Sequence, residues 1–286
     1  MDLQVVEQVA ELTQWVGEGG VVILSGAGLS TESGIPDYRG PSGSARRSTP
    51  MTFQAFTRDP IARRRYWARS HLGWRTIGEA RPNDGHRAVA ALQQRGLVDG
   101  IITQNVDGLH QAAGAEGVVE LHGNLSRITC LACGDLTPRE LLAVRLDAAN
   151  PRFDSRAVAI NADGDAELDE ADLDGFMVVD CDGCGGMLKP DVVYFGETVP
   201  PVRVERSFEL VGDARTLLVL GSSLTVMSGR RFVLRAVKEG IRVAIVNRGV
   251  TRGEPYAGLN VDAPLGIVLP NIVDALAPVS PANAGV

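Results

Sequence analysis

The chain has four cysteines, and they fall into two pairs, Cys130-Leu-Ala-Cys133 and Cys181-Asp-Gly-Cys184. Thiolates in CxxC pairs can grip one ion from tight turns, and four of them suit tetrahedral Zn²⁺. Four protein ligands leave no open coordination position, so such a metal is expected to be structural. The stretch between the pairs is longer than in an ordinary zinc ribbon, and a redox CxxC is the alternative. Two knuckles on one ion account for all four thiols together.

A second group of polar residues follows short apolar runs. Ser25-Gly26-Ala27-Gly28 comes after Val21-Val22-Ile23-Leu24, and Thr103-Gln104-Asn105-Val106-Asp107-Gly108-Leu109-His110 comes after Ile101-Ile102. Gly221-Ser222-Ser223-Leu224 comes after Leu217-Leu218-Val219-Leu220, and Asn247-Arg248-Gly249 after Val243-Ala244-Ile245-Val246. A glycine turn at the carboxyl end of a strand lets backbone N–H groups approach a pyrophosphate, and open α/β sheets bind ligands at that end. Gly26-Ala27-Gly28 lacks the usual third glycine, with Thr31 in its place. A tight strand-to-helix turn without ligand is the plainer reading, as turn formation is for Asn105 and Asp107. His122, in Glu120-Leu121-His122-Gly123, could cycle a proton near neutral pH or serve only in packing.

The elements that would position these groups follow from the apolar pattern. Residues 2–17 place Val5, Val9, Leu12 and Val16 at helical spacing behind Asp2, a residue suited to cap a helix. Helical stretches, such as 86–95 and 230–239, separate the apolar runs. Strands alternating with helices predict an α/β fold, a Rossmann-like parallel sheet covered on both faces. Residues 41–97, Arg-rich, and 126–188, which hold the cysteines, interrupt the alternation. The expected organisation is a discontinuous Rossmann-like domain over 1–40, 98–125 and 189–280. Into it are inserted a helical segment, 41–97, and a small zinc module, 126–188; 281–286 is expected as a disordered tail. The acidic run Asn161 to Asp169 fails calcium-loop spacing and reads as a solvated loop.

With 286 residues, 44% of them hydrophobic, the chain can bury a sizeable core. A net charge of −7 argues against nucleic acid as a partner. Lys189 and Lys238 are the only lysines. No apolar run reaches the roughly 20 residues of a membrane span. Met1-Asp2-Leu3-Gln4 does not open a signal or transit peptide. A cytoplasmic monomer, with neither nucleic acid nor membrane as partner, is the expectation.

The run Ser25 to Gly40, Ser-Gly-Ala-Gly-Leu-Ser-Thr-Glu-Ser-Gly-Ile-Pro-Asp-Tyr-Arg-Gly, resembles the cofactor loop of the sirtuin family almost residue for residue. The resemblance extends from residue 20 to about 270 through the other motifs. It implies an NAD⁺-dependent protein-lysine deacylase with NAD⁺ consumed as co-substrate, one structural Zn²⁺ and acyl-lysine proteins as partners. On the cofactor side it implies Gly26, Ala27, Ser30, Ile35, Pro36, Asp37, Tyr38, Arg39, Gln104, Asn105, Val106 and Asp107. Further contacts would come from Gly221, Ser222, Ser223, Asn247, Arg248 and Gly249, with Leu265 behind the adenine. His122 would be the catalytic base, helped by Asn105 and Asp107, while His86 and His110 would be structural. The acyl-lysine carbonyl oxygen would displace nicotinamide, and neutral His122 would activate a ribose hydroxyl against the resulting alkylimidate. The products would be free lysine and O-acyl-ADP-ribose.

The segment Lys189-Pro190-Asp191-Val192-Val193-Tyr194-Phe195-Gly196-Glu197 matches the family's substrate side, implying contacts from Val192, Phe195 and Gly196 by strand addition. The Gly221 run, Gly221 to Gly229, departs from the family's commoner Gly-Thr-Ser-Leu-x-Val-x-Pro form. That run, the long inter-knuckle insert and Tyr66-Trp67-Ala68-Arg69 look most like class II sirtuins, here in a bacterial-type chain. That branch includes lipoamidase and ADP-ribosyl-transfer activities. Tyr66 and Arg69, one helical turn apart, could together hold an acidic acyl group. Protein mono-ADP-ribosyl transfer from the same pocket is the nearest alternative. An NAD-dependent oxidoreductase and a non-catalytic NAD-sensing or zinc-ribbon binding protein are the remoter ones.

Overall fold

The computed structural model describes residues 2–37, 50–153, 159–160, 166–167 and 175–277. Eleven strands occur among them. Six are β1 (Val21–Ser25), β2 (Val98–Thr103), β3 (Val119–Glu120), β4 (Gly123–Cys130), β5 (Leu136–Pro138) and β6 (Ala159–Ile160). The rest are β7 (Ala166–Glu167), β8 (Leu188–Val192), β9 (Thr216–Leu220), β10 (Arg242–Val246) and β11 (Leu259–Val261). The α-helices are α1 (Leu3–Gly17), α2 (Phe53–Arg58), α3 (Pro60–Glu79), α4 (Asp84–Gln94), α5 (Leu109–Ala112), α6 (Arg139–Ala149), α7 (Pro201–Asp213), α8 (Met227–Lys238) and α9 (Leu265–Ala275).

The larger sheet has the order β11-β10-β9-β1-β2-β3 and is parallel throughout. β1 and β9 are buried at every position, as a sheet covered on both faces requires. One face packs on α1, α4 and α9 through Leu12, Val16, Val89, Leu92, Val268 and Ile272. The other meets α7 and α8 through Val211, Phe232, Val233 and Ala236. Sequence order reverses between β1 and β9, so the crevice for a ligand lies beyond Ser25 and Leu220.

Local chemistry explains the helix starts. The Asp2 carboxylate accepts from Gln4 N at 2.8 Å, as expected of a cap. Asp59 caps α3 by accepting from the amides of Ile61 and Ala62, with Pro60 following where its missing N–H costs nothing. α3 buries Tyr66, Trp67, Ala68 and Ile77 in a second core together with Phe56 and Tyr194. α4 packs into the sheet's own core through Ala88, Val89 and Leu92, so the segment 41–97 divides between the two cores.

The second body is the antiparallel sheet β5-β4-β8 with α6 against it. β8 is therefore a strand of this smaller sheet, while Gly123 to Cys130 continue directly from β3 of the larger one. A half-buried ion network ties the bodies together. Arg127 of β4 meets Glu120 of β3 at 2.5 Å and Asp191 of β8 at 2.9 Å, and Asp191 also accepts from Arg203 of α7 at 2.9 Å. Most of the acidic run 161–169 and the tail 281–286 lie outside the described residues.

Candidate active site and metal centre

A cavity of about 670 Å³ opens where β1 and β9 end. That is the size of a pocket for a substantial small molecule. Two glycine turns form its floor. Gly26 N–H donates to Leu220 O at 2.9 Å, and Gly28 N–H donates to Gly221 O at 2.8 Å. Gly221 has φ +61°, and a Cβ there would run into the Leu29 amide and the Gly28 backbone. The absence of side chains lets the two turns stack backbone on backbone. Leu224, buried beside them, holds φ 51°, a strained conformation that its surroundings must enforce.

The polar run after β2 forms the next wall. Asn105 donates through Nδ2 to Gly26 O at 3.1 Å and to Ser30 Oγ at 3.0 Å. Ser30 in turn donates to Asp107 Oδ2 at 2.7 Å, and Asp107 Oδ1 accepts from Leu109 N at 2.9 Å. Desolvation pushes the Asp107 carboxyl above its ordinary value, against the pull of these bonds. Gln104 donates through Nε2 to Ser222 Oγ at 3.0 Å, linking β2 to the β9 turn.

Behind this wall, Ser25 Oγ lies 2.8 Å from His110 Nε2, and His86 stacks edge-on against His110 at 5.2 Å. Desolvation holds both imidazoles down, His110 at about 3 and His86 at about 4. They are neutral packing groups here. His86 also completes a capping box with Asn83 at the start of α4. His71 pairs with Asp147 of α6 at 3.0 Å.

His122 faces the cavity from the turn between β3 and β4. Its Nδ1 lies 3.0 Å from Gln104 O, and its Nε2 lies 2.9 Å from Ser228 Oγ. A carbonyl only accepts, so Nδ1 carries the proton and Nε2 presents its lone pair. Desolvation, chiefly, lowers the imidazole's pKa from the ordinary histidine value, assisted by Arg231 and Arg203. Gly123, with φ +87°, follows because a Cβ there would strike the Asp191 carbonyl. The close approach of β4 to β8 at this point lets Val193 N–H donate to His122 O at 2.8 Å.

The cavity wall thus includes Gly26, Ala27, Ser30, Ile35, Asp37, Gln104, Asn105, Val106, Asp107 and His122. Gly221, Ser222, Ser223, Asn247, Arg248 and Gly249 join them, as do Tyr66, Val192, Phe195 and Gly196. Pro36, Arg69 and Leu265 are not among the lining residues. Leu265 is buried in the core at the start of α9. Tyr38 and Arg39 lie outside the described residues. Sequence reading missed Met51, Val193, Tyr194, Thr225, Met227 and Ser228, all on the wall. The departure at Ser228 from the commoner proline was the available signal for that residue.

The four cysteine sulfurs lie within 4.8 Å of one another. Cys130 Sγ is 3.5 Å from Cys184 Sγ, and Cys133 Sγ is 3.9 Å from Cys181 Sγ. Tetrahedral zinc with bonds of about 2.3 Å needs sulfur separations of about 3.8 Å, so the donor set fits. The knuckles repeat one geometry: Gly134 N–H donates to Cys130 O at 2.9 Å, and Gly185 N–H to Cys181 O at 2.8 Å. Backbone amides of Cys133 and Ala132 draw the Cys130 thiol down, while the neighbouring Cys133 sulfur pushes the Cys184 thiol up.

A parallel sheet with glycine turns at its switch point, a cavity-facing imidazole and a four-thiolate knuckle pair define a class that comparison with known proteins names. The Sir2 family model matches residues 26–228, and the chain belongs to that family. It is 64% identical over 258 residues to NAD-dependent protein deacetylase 1 of Streptomyces coelicolor, covering 90% of this chain and 86% of that protein. It is 51% identical to NAD-dependent protein deacetylase 1 of Mycobacterium avium, covering 90% and 92% respectively. Among solved structures, a Sir2–p53 peptide–NAD⁺ complex superposes with a TM-score of 0.74 at 29% identity, over 93% of this chain and 97% of that one.

Proposed function

We propose that this chain is an NAD⁺-dependent protein-lysine deacylase, which moves the acyl group of an acyl-lysine to ADP-ribose and releases nicotinamide. The observation that carries this reading is the placement of the His122 Nε2 lone pair on the same cavity wall as the paired glycine turns. The turns and Asn247 suit a dinucleotide, with backbone amides for its phosphates. Asn105 and Asp107 suit the nicotinamide ribose, since both are locked by hydrogen bonds at the base's side of the cavity. Val192, Phe195 and Gly196 line the same cavity, on the side that the sequence match assigns to a substrate peptide.

Acetyl is the acyl group proposed. Tyr66 lines the cavity, one helical turn from Arg69. The curated relatives named above are deacetylases, which agrees with an uncharged acyl group.

The test is a panel of acetyl-, succinyl- and lipoyl-lysine peptides with NAD⁺, read by mass detection of peptide, nicotinamide and acyl-ADP-ribose. Acetyl turnover with stoichiometric nicotinamide is expected. ADP-ribose attached to protein without peptide deacylation would replace the reading with mono-ADP-ribosyl transfer. A preference for succinyl-lysine that disappears in Arg69→Met would restore the acid clamp.

A further inference from the structure

We propose that Ser228 is a relay residue, carrying the proton from a ribose hydroxyl to His122 through its own hydroxyl. This rests on His122 being the base of the deacylation above. A neutral imidazole has one acceptor lone pair. With Nδ1–H committed to Gln104 O at 3.0 Å, that lone pair is at Nε2, and Ser228 Oγ occupies it at 2.9 Å. A proton bound for His122 must therefore displace this hydroxyl or pass through it. Ser228 itself lines the cavity, so it can face a bound ribose while holding the base.

The first turn of α8 is built for this grip. Ser228 is its second residue, and no side chain caps the helix start. The uncapped amides leave the positive end of the helix beside Oγ, which favours a hydroxyl that is losing its proton. Arg231 Nε donates to Ser228 O at 3.1 Å and steadies that turn. Gly229, next in sequence, packs directly on Gln104, the residue whose carbonyl fixes the other ring nitrogen. The same short segment thus sets both ends of the imidazole. The proline found at this position in the family's commoner form has no hydroxyl to offer.

The step balances without an outside reagent. The ribose O–H bond breaks and its proton joins Ser228 Oγ. The Ser228 O–H bond breaks as its proton joins His122 Nε2. The ribose oxygen keeps the electron pair it needs as a nucleophile, His122 becomes an imidazolium, and Ser228 ends as it began. The charged groups acting on that imidazolium are Arg203 of α7 and Arg231 of α8, both of which oppose it.

The experiment compares wild type with Ser228→Ala and Ser228→Thr. In the unliganded protein, ¹⁵N NMR of the four histidines reads the bond without turnover. The His122 Nε2 resonance should move toward that of a free lone pair in Ser228→Ala and return in Ser228→Thr. With NAD⁺ and acetyl-peptide, Ser228→Ala should lose about tenfold or more in deacetylation kcat, a share of the range typical of a general base. At saturating NAD⁺ it should keep nicotinamide exchange, with Ser228→Thr recovering most of the deacetylation rate. An unmoved resonance would overturn the proposal, as would Ser228→Ala turning over at the wild-type rate or faster. Equal loss of exchange and deacetylation would also overturn it, by making Ser228 a support for the loop. Failure of the wild type itself to release nicotinamide would instead defeat the deacylase reading.

Discussion

Gly229 lies against the side chain of Gln104 so closely that a Cβ would overlap its amide, with Cδ at 2.7 Å. Gln104 cannot yield freely, because its Nε2 is bonded to Ser222 Oγ and its carbonyl holds His122. Gly229→Ala is expected to destabilise the protein by about 1–3 kcal/mol, as overpacking does. It should also lower kcat through the displaced base. Urea unfolding together with steady-state kinetics checks this. A variant of unchanged stability and rate would mean that the β2–α8 contact is looser than the packing indicates.

His122→Ala should leave folding and metal content intact and cut deacylation by at least about a hundredfold, within the usual range for a general base. The acid limb of the wild-type rate profile gives an independent check. The working form is the neutral imidazole, so activity is full above its pKa and falls as pH drops through it. Because desolvation lowers that pKa, the limb should lie below the ordinary histidine value of about 6.5. A midpoint above 7 would contradict the burial of this group.

The pair His86 and His110 should make stability sensitive to acid. Their folded values, about 4 and about 3, are depressed below the unfolded value. The unfolded chain therefore takes up protons first as pH falls below about 6.5, and stability is lost from there down toward the folded values. At 1.36 kcal/mol per unit, each histidine removes about 2 kcal/mol between pH 6.5 and 5. Urea midpoints at pH 7.5 and pH 5 measure the loss. A midpoint constant over that window would show that these imidazoles are not buried neutral.

One zinc per chain is expected, held by Cys130, Cys133, Cys181 and Cys184. Structural zinc contributes on the order of 10 kcal/mol to folding in small zinc domains. Cys130→Ala or prolonged chelation should melt the β5-β4-β8 module and reduce activity through the Arg127–Glu120 and Arg127–Asp191 ties. Metal analysis below about half a zinc per chain, at full activity, would refute this.

Much of the site was legible in the sequence because its parts are local. A glycine turn after an apolar strand, or a CxxC knuckle, is set by a few neighbouring residues whose backbone needs are visible in their types. The runs 21–28, 101–110, 217–224 and 243–249 therefore mark the four central strands of the parallel sheet and much of the cavity wall. Other features depend on residues far apart. The hydroxyl of Ser228 reaches His122 across 106 positions, and the half-buried tie between Arg127 and Asp191 spans 64. Leu265, read by position as backing the adenine, is buried in the core at the start of α9. The sequence determined which groups could do chemistry and which turns would hold them. Only the packing of α8 and β4 against the sheet decided which of them face one another, because those contacts are set by shape complementarity between distant segments, which no local pattern encodes.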